Sequence, residues 1–194
     1  MVFIAREKEF DSEKAIHQAM LVFWEKGYNV TNVPDLLQAM KLSRSSLYNT
    51  FGDKRTLYIC ALEYYKKNRF YNLDILNHAS SAREGIRQYF EQHISSMYDT
   101  NYPKGCFVTN TAVTMESPDE ELKQLIKSSF INLEQSFYKL LERGQQCGEI
   151  GKTIDIKTLA CLLLNLNHSI NIMAKVNIDK QKIEQMMNAV ICNF

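Results

Sequence analysis

The chain reads as an all-α protein of about nine helices: a small three-helix N-terminal module, a long fourth helix, and a larger helical C-terminal domain. Three observations lead there. Seven glycines and three prolines in 194 residues are too few for the many tight turns of a β-rich fold. Apolar residues recur at helical spacing over long runs, and several of those runs open on a capping residue and close on glycine. With 45% hydrophobic and 23% charged residues, the composition is that of an ordinary globular protein with one large or two small domains.

The elements follow in order. Asp11 precedes Ile16, Ala19, Met20 and Phe23, and Gly27 stops the first helix. Thr31 and Asn32 are placed to cap a short second helix, with Pro34 in its first turn and Leu36, Leu37 and Met40 inward. Ser43 caps a third: Leu47 and Phe51, four apart, face inward, while Ser45 and Asn49 face outward, flanked by Arg44 and Tyr48. An outer face of short hydrogen-bonding side chains plus one Arg and one Tyr suits a polar target such as base edges in a major groove. Gly52-Asp53 turns the chain into a fourth helix, Lys54 to about Tyr71, carrying Leu57, Cys60, Ala61, Tyr64 and Tyr65. The predicted boundaries are 1–53 for the first domain and 54–194 for the second, with 54–72 as the connecting helix.

Five further helices are expected. Ser117, Pro118 and Glu120 form a helix-start signal, followed by Leu122, Leu125, Ile126, Leu133, Phe137, Leu140 and Leu141 up to Gly144. Asp155 opens another, LACLLLNLNHSINIMA, which is too polar for a membrane span because Asn165, Asn167, His168 and Asn171 interrupt it. No N-terminal stretch has the pattern of a secretion signal, so a cytoplasmic protein with no membrane partner is expected. The five cysteines, Cys60, Cys106, Cys147, Cys161 and Cys192, are odd in number and widely spread. They indicate neither a disulfide framework nor a zinc site, and no cofactor or metal is expected.

The net charge of +1 conceals a local bias. Residues 1–72 hold 11 Lys/Arg against 8 Asp/Glu, and between Lys41 and Arg69 seven basic residues face two acidic ones. Charge of that kind suits a polyanion, although a basic run is also an ordinary solvated helix face.

The run FDSEKAIHQAMLVFWEKGYNVTNVPDLLQAMKLSRSSLYNTFGDKRTLY resembles the DNA-binding domain of the TetR/AcrR family of bacterial transcriptional regulators. The resemblance rests on GY-x-x-T after the first helix, L-S-x-x-x-LY at the third and F-x-x-K-x-x-L entering the fourth. Two positions depart from the family pattern: Lys41 stands where the family usually has Gly, and Leu37 where it usually has a small residue. The resemblance implies a helix-turn-helix transcriptional repressor, not an enzyme, that binds a palindromic double-stranded DNA operator and leaves it when a small-molecule effector binds. It implies that Arg44, Ser45, Tyr48 and Asn49 face bases or adjoining backbone, and that Thr50 lies near the groove. Lys54 and the amides at the start of the fourth helix would hold a phosphate, with Thr31 and Asn32 capping the second helix near another. A homodimer through the last two long helices is implied as well, with Leu159, Leu162, Leu163, Leu166 and Ile170 as a stripe suited either to that interface or to an internal core.

In the second domain Phe90, Met97, Phe107, Met115 and Phe130 are candidates for an apolar effector pocket, or for core. Cys106 follows Pro103, Lys104 and Gly105 at an expected helix start, where backbone amides and Lys104 would favour thiolate. In the family a similar Gly-Cys serves some members as a sensor of oxidants or electrophiles, which makes induction through Cys106 an alternative to ligand binding. The other four cysteines are expected to be structural. An enzyme using Cys106 would need a histidine and an orienting acid, and no motif ties His78, His93 or His168 to it. A helical adaptor would leave the polar third helix unexplained.

Overall fold

A computed structural model describes residues 11–68, 73–115 and 119–192. The described residues form α1 (Ser12–Lys26), α2 (Val33–Met40), α3 (Arg44–Phe51), α4 (Lys54–Asn68), α5 (Leu73–His78), α6 (Ala82–Met97), α7 (Phe107–Thr114), α8 (Glu120–Gln146), α9 (Ile156–Lys175) and α10 (Lys180–Ile191), with no strand among them. That is ten helices where about nine are expected; α5, six residues long, is too short to show a periodicity. The chain divides into two compact units, Met1–Asn68 and Arg69–Phe194. The expected extension of the fourth helix to Tyr71 lies outside the described residues.

In the first unit α1 packs along α4 and against α2. The Asp11 carboxylate accepts the amides of Glu13 and Lys14 to start α1, and Gly27, at φ +77°, ends it. Ala15, Ala19, Met20, Phe23 and Trp24 form its buried face. Phe23 meets Tyr58, and Trp24 meets Tyr65, edge to face at 4.9 Å in both pairs. The cap of α2 falls to Asn32, whose side chain accepts the Asp35 amide at 2.8 Å while Asp35 accepts the Asn32 amide. Thr31 is instead buried, its hydroxyl donating to the Gly27 carbonyl at 2.7 Å. Leu36 and Met40 are buried and Leu37 only half-buried, because at 100° per residue Leu37 turns off the inner face.

In the second unit α8 packs along α9, and α6 against α10, α5 and α8. Phe90 and Phe137 stack with centroids 5.8 Å apart at the centre of the core, and burial of each contributes about 1.5–3 kcal/mol. Gly85 and Gly144 let helices approach: a Cβ on Gly144 would lie 2.7 Å from Ala82 Cβ and 3.0 Å from Ile150 Cδ1. Gly144 is therefore an interior position of α8, which continues to Gln146 rather than ending there. The start of α8 is Glu120, capped by Asp119; the expected signal at Ser117 and Pro118 lies outside the described residues. At the head of α6 Glu149 accepts from the Ser81 hydroxyl and from the amides of Ala82 and Arg83 at 2.7–2.9 Å. Leu159, Leu163 and Ile170 are buried within the unit and belong to its core, since they recur at one helix face; Leu162, one step off that face, is 47% exposed.

Candidate nucleic-acid interface

Helix α3 has two faces of opposite character. Leu47 and Phe51 are buried and fix the helix, while Arg44, Ser45, Tyr48 and Asn49 are exposed, Tyr48 to 41%. Thr50 is half-buried between these faces. The Ser43 hydroxyl accepts the Ser46 amide at 3.1 Å and lies 2.9 Å from Ser45 Oγ, so hydrogen bonds of short side chains start the first turn. The mean direction of the outer face is thus left to side chains that donate and accept hydrogen bonds or present an aromatic edge.

The turn before α3 is set by Lys41, which takes φ +54° and ψ +42° while Leu42 N donates to the Leu37 carbonyl at 3.1 Å. A left-handed C-cap is normally glycine's place, and a side chain there costs about 1–2 kcal/mol. The turn after α3 uses Gly52 at φ +80° and then Asp53, whose carboxylate accepts the Thr56 amide at 2.7 Å. That hydrogen bond holds the Asp53 carboxyl below its ordinary pKa.

Lys54 stands at the N-terminus of α4, where the helix dipole favours an anion. Its ammonium lies 4.3 Å from the centroid of the Tyr28 ring, and partial burial lowers its pKa. Tyr28 itself rests against Tyr58, with centroids 5.0 Å apart, and against Phe23. Lys54 is therefore a positioned cation rather than a loose surface lysine. Tyr28 was not singled out from sequence; the signal was its place in the GY pair that closes α1.

The chain matches the model of the bacterial regulatory proteins, tetR family, over residues 15–59, and that of the tetracyclin repressor-like C-terminal domain over residues 82–190. It belongs to the tetR family of bacterial regulatory proteins. It is 33% identical over 183 residues to the uncharacterized HTH-type transcriptional regulator YezE of Bacillus subtilis, covering 93% of this chain and 94% of that protein. With the HTH-type transcriptional repressor ComR of Escherichia coli it shares 26% identity over 189 residues, 96% of this chain and 90% of ComR. Among solved structures it is similar to a cysteine mutant of the TetR family transcriptional regulator CifR complexed with a 26-base-pair double-strand operator DNA, at TM-score 0.89 and 26% identity, covering 97% of this chain and 100% of that one. As a TetR-family member the protein is a DNA-binding transcriptional regulator.

The residues expected to sense an effector are distributed over the second unit. Phe90, Met97 and Phe107 are buried, and Met115 and Phe130 are half-buried. Phe130 packs on the His168 ring with centroids 4.2 Å apart. Cys106 occupies the N-cap position of α7, as expected, but its side chain makes no capping hydrogen bond and is 1% exposed. The Lys104 ammonium sits over the Tyr98 ring, 5.2 Å from its centroid. Exposure of the cysteines runs opposite to expectation: Cys147 and Cys192, the residues that end α8 and α10, and Cys161 of α9 are exposed, and Cys60 of α4 is half-buried. Among the described residues no cluster of His, Cys, Asp and Glu could hold a metal ion, and no helix is long and apolar enough to cross a membrane.

Proposed function

We propose that the protein is a homodimeric repressor which holds two copies of α3 against the half-sites of a palindromic operator and is released by a small molecule bound in its second unit. The observation that carries this reading is the one-sidedness of α3, whose buried Leu47 and Phe51 leave Arg44, Ser45, Tyr48 and Asn49 outward. In this reading those four residues meet base edges or the adjoining backbone, Thr50 lies near the groove, and Lys54 with the first amides of α4 holds a phosphate. Thr31, its hydroxyl taken up by Gly27, supports the turn before α2. Residues 1–53 then form the DNA-binding domain and 54–194 the regulatory one, with 54–72 as the link.

The dimer reading is supported by apolar residues left exposed on the two longest helices, Ile131 on α8 and Leu162 and Ile172 on α9. Beside them, Ile131, Glu134, Gln135 and Tyr138 of α8 and Lys157 and Ala160 of α9 line a groove of about 300 Å³. A two-fold dimer places its half-sites about 34 Å, one helical turn of DNA, apart. Release requires only that the effector bind the DNA-free form more tightly than the DNA-bound form. A second reading, induction by oxidation or electrophile modification of Cys106, is supported by its place at the head of α7; there the thiol must first be uncovered.

Selection of duplexes from a random pool by the purified protein, followed by gel shifts and sedimentation, tests the proposal. Enrichment of a two-fold symmetric site bound by a dimer is expected, with Tyr48→Ala weakening binding about tenfold or more while the protein stays folded. Recovery of no symmetric sequence, or of a monomeric complex, would sink it.

A further inference from the structure

Helices α6, α7 and α9 bring a set of polar side chains together inside the second unit, in surroundings that are otherwise apolar. The Tyr89 hydroxyl donates to Asn167 Oδ1 at 3.0 Å. The Asn171 amide donates to Thr109 Oγ1 at 2.9 Å, and Thr109 Oγ1 lies 3.1 Å from His168 Nδ1. His93, one turn beyond Tyr89, has its ring beside the Asn171 side chain and the Asn167 carbonyl. Asn167 and Asn171 are both 0% exposed and, four apart on α9, share one face.

These bonds do not use up the set. Asn167 Nδ2 and His168 Nε2 are buried and have no hydrogen-bond partner, and Asn171 Oδ1 and the His93 ring, also buried, lie beside each other but short of hydrogen-bond geometry. A buried polar atom left unpaired costs about 1–3 kcal/mol. Unpaired atoms gathered in one place are therefore a large sacrifice for a core selected only for stability.

The chemistry of the open positions is specific. Thr109 Oγ1 accepts from Asn171; in the tautomer in which its proton goes to His168 Nδ1, the ring's own proton is on Nε2, an unused donor, and in the other tautomer Nε2 is an unused acceptor. The Asn167 amide is a second unused donor, and Asn171 Oδ1 an unused acceptor. Burial lowers the pKa of both imidazoles to about 4, so both rings are neutral at neutral pH. No Lys, Arg, Asp or Glu takes part in these hydrogen bonds. An organic anion would be desolvated there without a counter-charge, while an uncharged molecule with one acceptor and one donor would meet both kinds of open atom. The Phe130 ring against His168 offers an apolar surface for the rest of such a molecule.

We propose that Tyr89, His93, Thr109, Asn167, His168 and Asn171 form the effector site, and that it takes a small uncharged molecule of the primary-amide or hydroxy-carbonyl class. This rests on the reading of the second unit as the effector-responsive part. The site supplies hydrogen bonds to a carbonyl oxygen from Asn167 and His168, and accepts an N–H or O–H at Asn171.

The test uses the intact dimer labelled with ¹⁵N and follows the side-chain resonances of its four histidines during titration with propanamide, lactamide or the isosteric anion propionate. At least one of the two amides is expected to shift His93 and His168 saturably while leaving His17 and His78 in place, and propionate at equal concentration is expected to shift neither pair. Asn171→Leu and Asn167→Leu are each expected to weaken that binding at least tenfold. The wild-type titration stands on its own should either variant fold poorly. The proposal is overturned if neither amide moves the His93 and His168 resonances, as when water alone fills the open positions, or if propionate moves them equally. Operator gel shifts are run separately: a protein whose histidines respond to an amide but which never leaves its operator would refute induction through the second unit and leave the binding site standing.

Discussion

The Lys54 ammonium lies 4.3 Å from the centroid of the Tyr28 ring, so the cation at the head of α4 is held by an aromatic face contributed by the turn after α1. Two substitutions separate charge from placement. Lys54→Ala should weaken operator binding and lower the steepness of its salt dependence by about one unit of slope. Tyr28→Leu should weaken binding less and leave the slope unchanged, because the charge remains. Gel shifts at several salt concentrations measure both; equal slopes for wild type and Lys54→Ala would remove Lys54 from the phosphate contacts.

Lys41 holds a left-handed conformation at φ +54°. Relief of about 1–2 kcal/mol of backbone strain, set against a loss of about 0.4–1 kcal/mol through greater freedom of the unfolded chain, leaves Lys41→Gly stabilising by up to about 1.5 kcal/mol. Urea unfolding of the two proteins decides it, and a lower midpoint in the variant would show that the Lys41 side chain contributes more than its backbone costs.

Gly144 predicts the opposite sign. A methyl there would meet Ala82 Cβ at 2.7 Å, and neither helix backbone can give way cheaply. Overpacking costs about 1–3 kcal/mol against about 0.5–1 kcal/mol gained in helix propensity, so Gly144→Ala should be destabilising. Calorimetry should show a lower Tm; an unchanged or raised Tm contradicts the close approach.

Cysteine reactivity should follow exposure. In the native protein Cys147 and Cys192 should alkylate with iodoacetamide faster than Cys106, and Cys161 should be slowed as well if α9 is covered by a second copy in the proposed dimer. Peptide mass spectrometry gives the order. Fast alkylation of Cys106 would mean that α7 opens readily and would strengthen the covalent route of induction.

Acid should weaken the second unit before its carboxylates titrate. Burial lowers the pKa of His93 and His168 from the ordinary 6.5 to about 4, so the unfolded chain binds protons that the folded one does not. Stability is fully present above pH 6.5 and declines as pH falls towards 4. His93→Gln should flatten that decline in thermal melts taken between those limits, and an identical profile would place the His93 ring in water.

Most of the architecture was legible because local signals agreed with one another. Asp11, Asn32, Ser43 and Asp155 all cap helices, and the inward pair Leu47 and Phe51 fixed which face of α3 is outward. What escaped was set by contacts distant in sequence. Asn167, His168 and Asn171 read simply as polar breaks in an apolar run, since their partners Tyr89 and Thr109 lie more than fifty residues away. The spacing that could have flagged them is Tyr89 to His93 and Asn167 to Asn171, each four apart. The burial of Cys106 escaped for the same reason: a helix-start signal says where a chain turns, and not what is packed over the turn.

The clamp that Glu149 places on the first turn of α6 joins groups separated by 66–68 residues in the chain. During synthesis at about 5–20 residues per second, the amides of Ala82 and Arg83 wait several seconds before their acceptor leaves the ribosome. Until then α6 has only Ser81 to start it, through the Glu84 amide. The second unit consequently closes late and as a whole, whereas the head of α1 is complete as soon as Asp11 to Lys14 have emerged. A nascent chain cut just before Glu149 should therefore expose its N-terminal unit already folded and α6 still open to proteolysis.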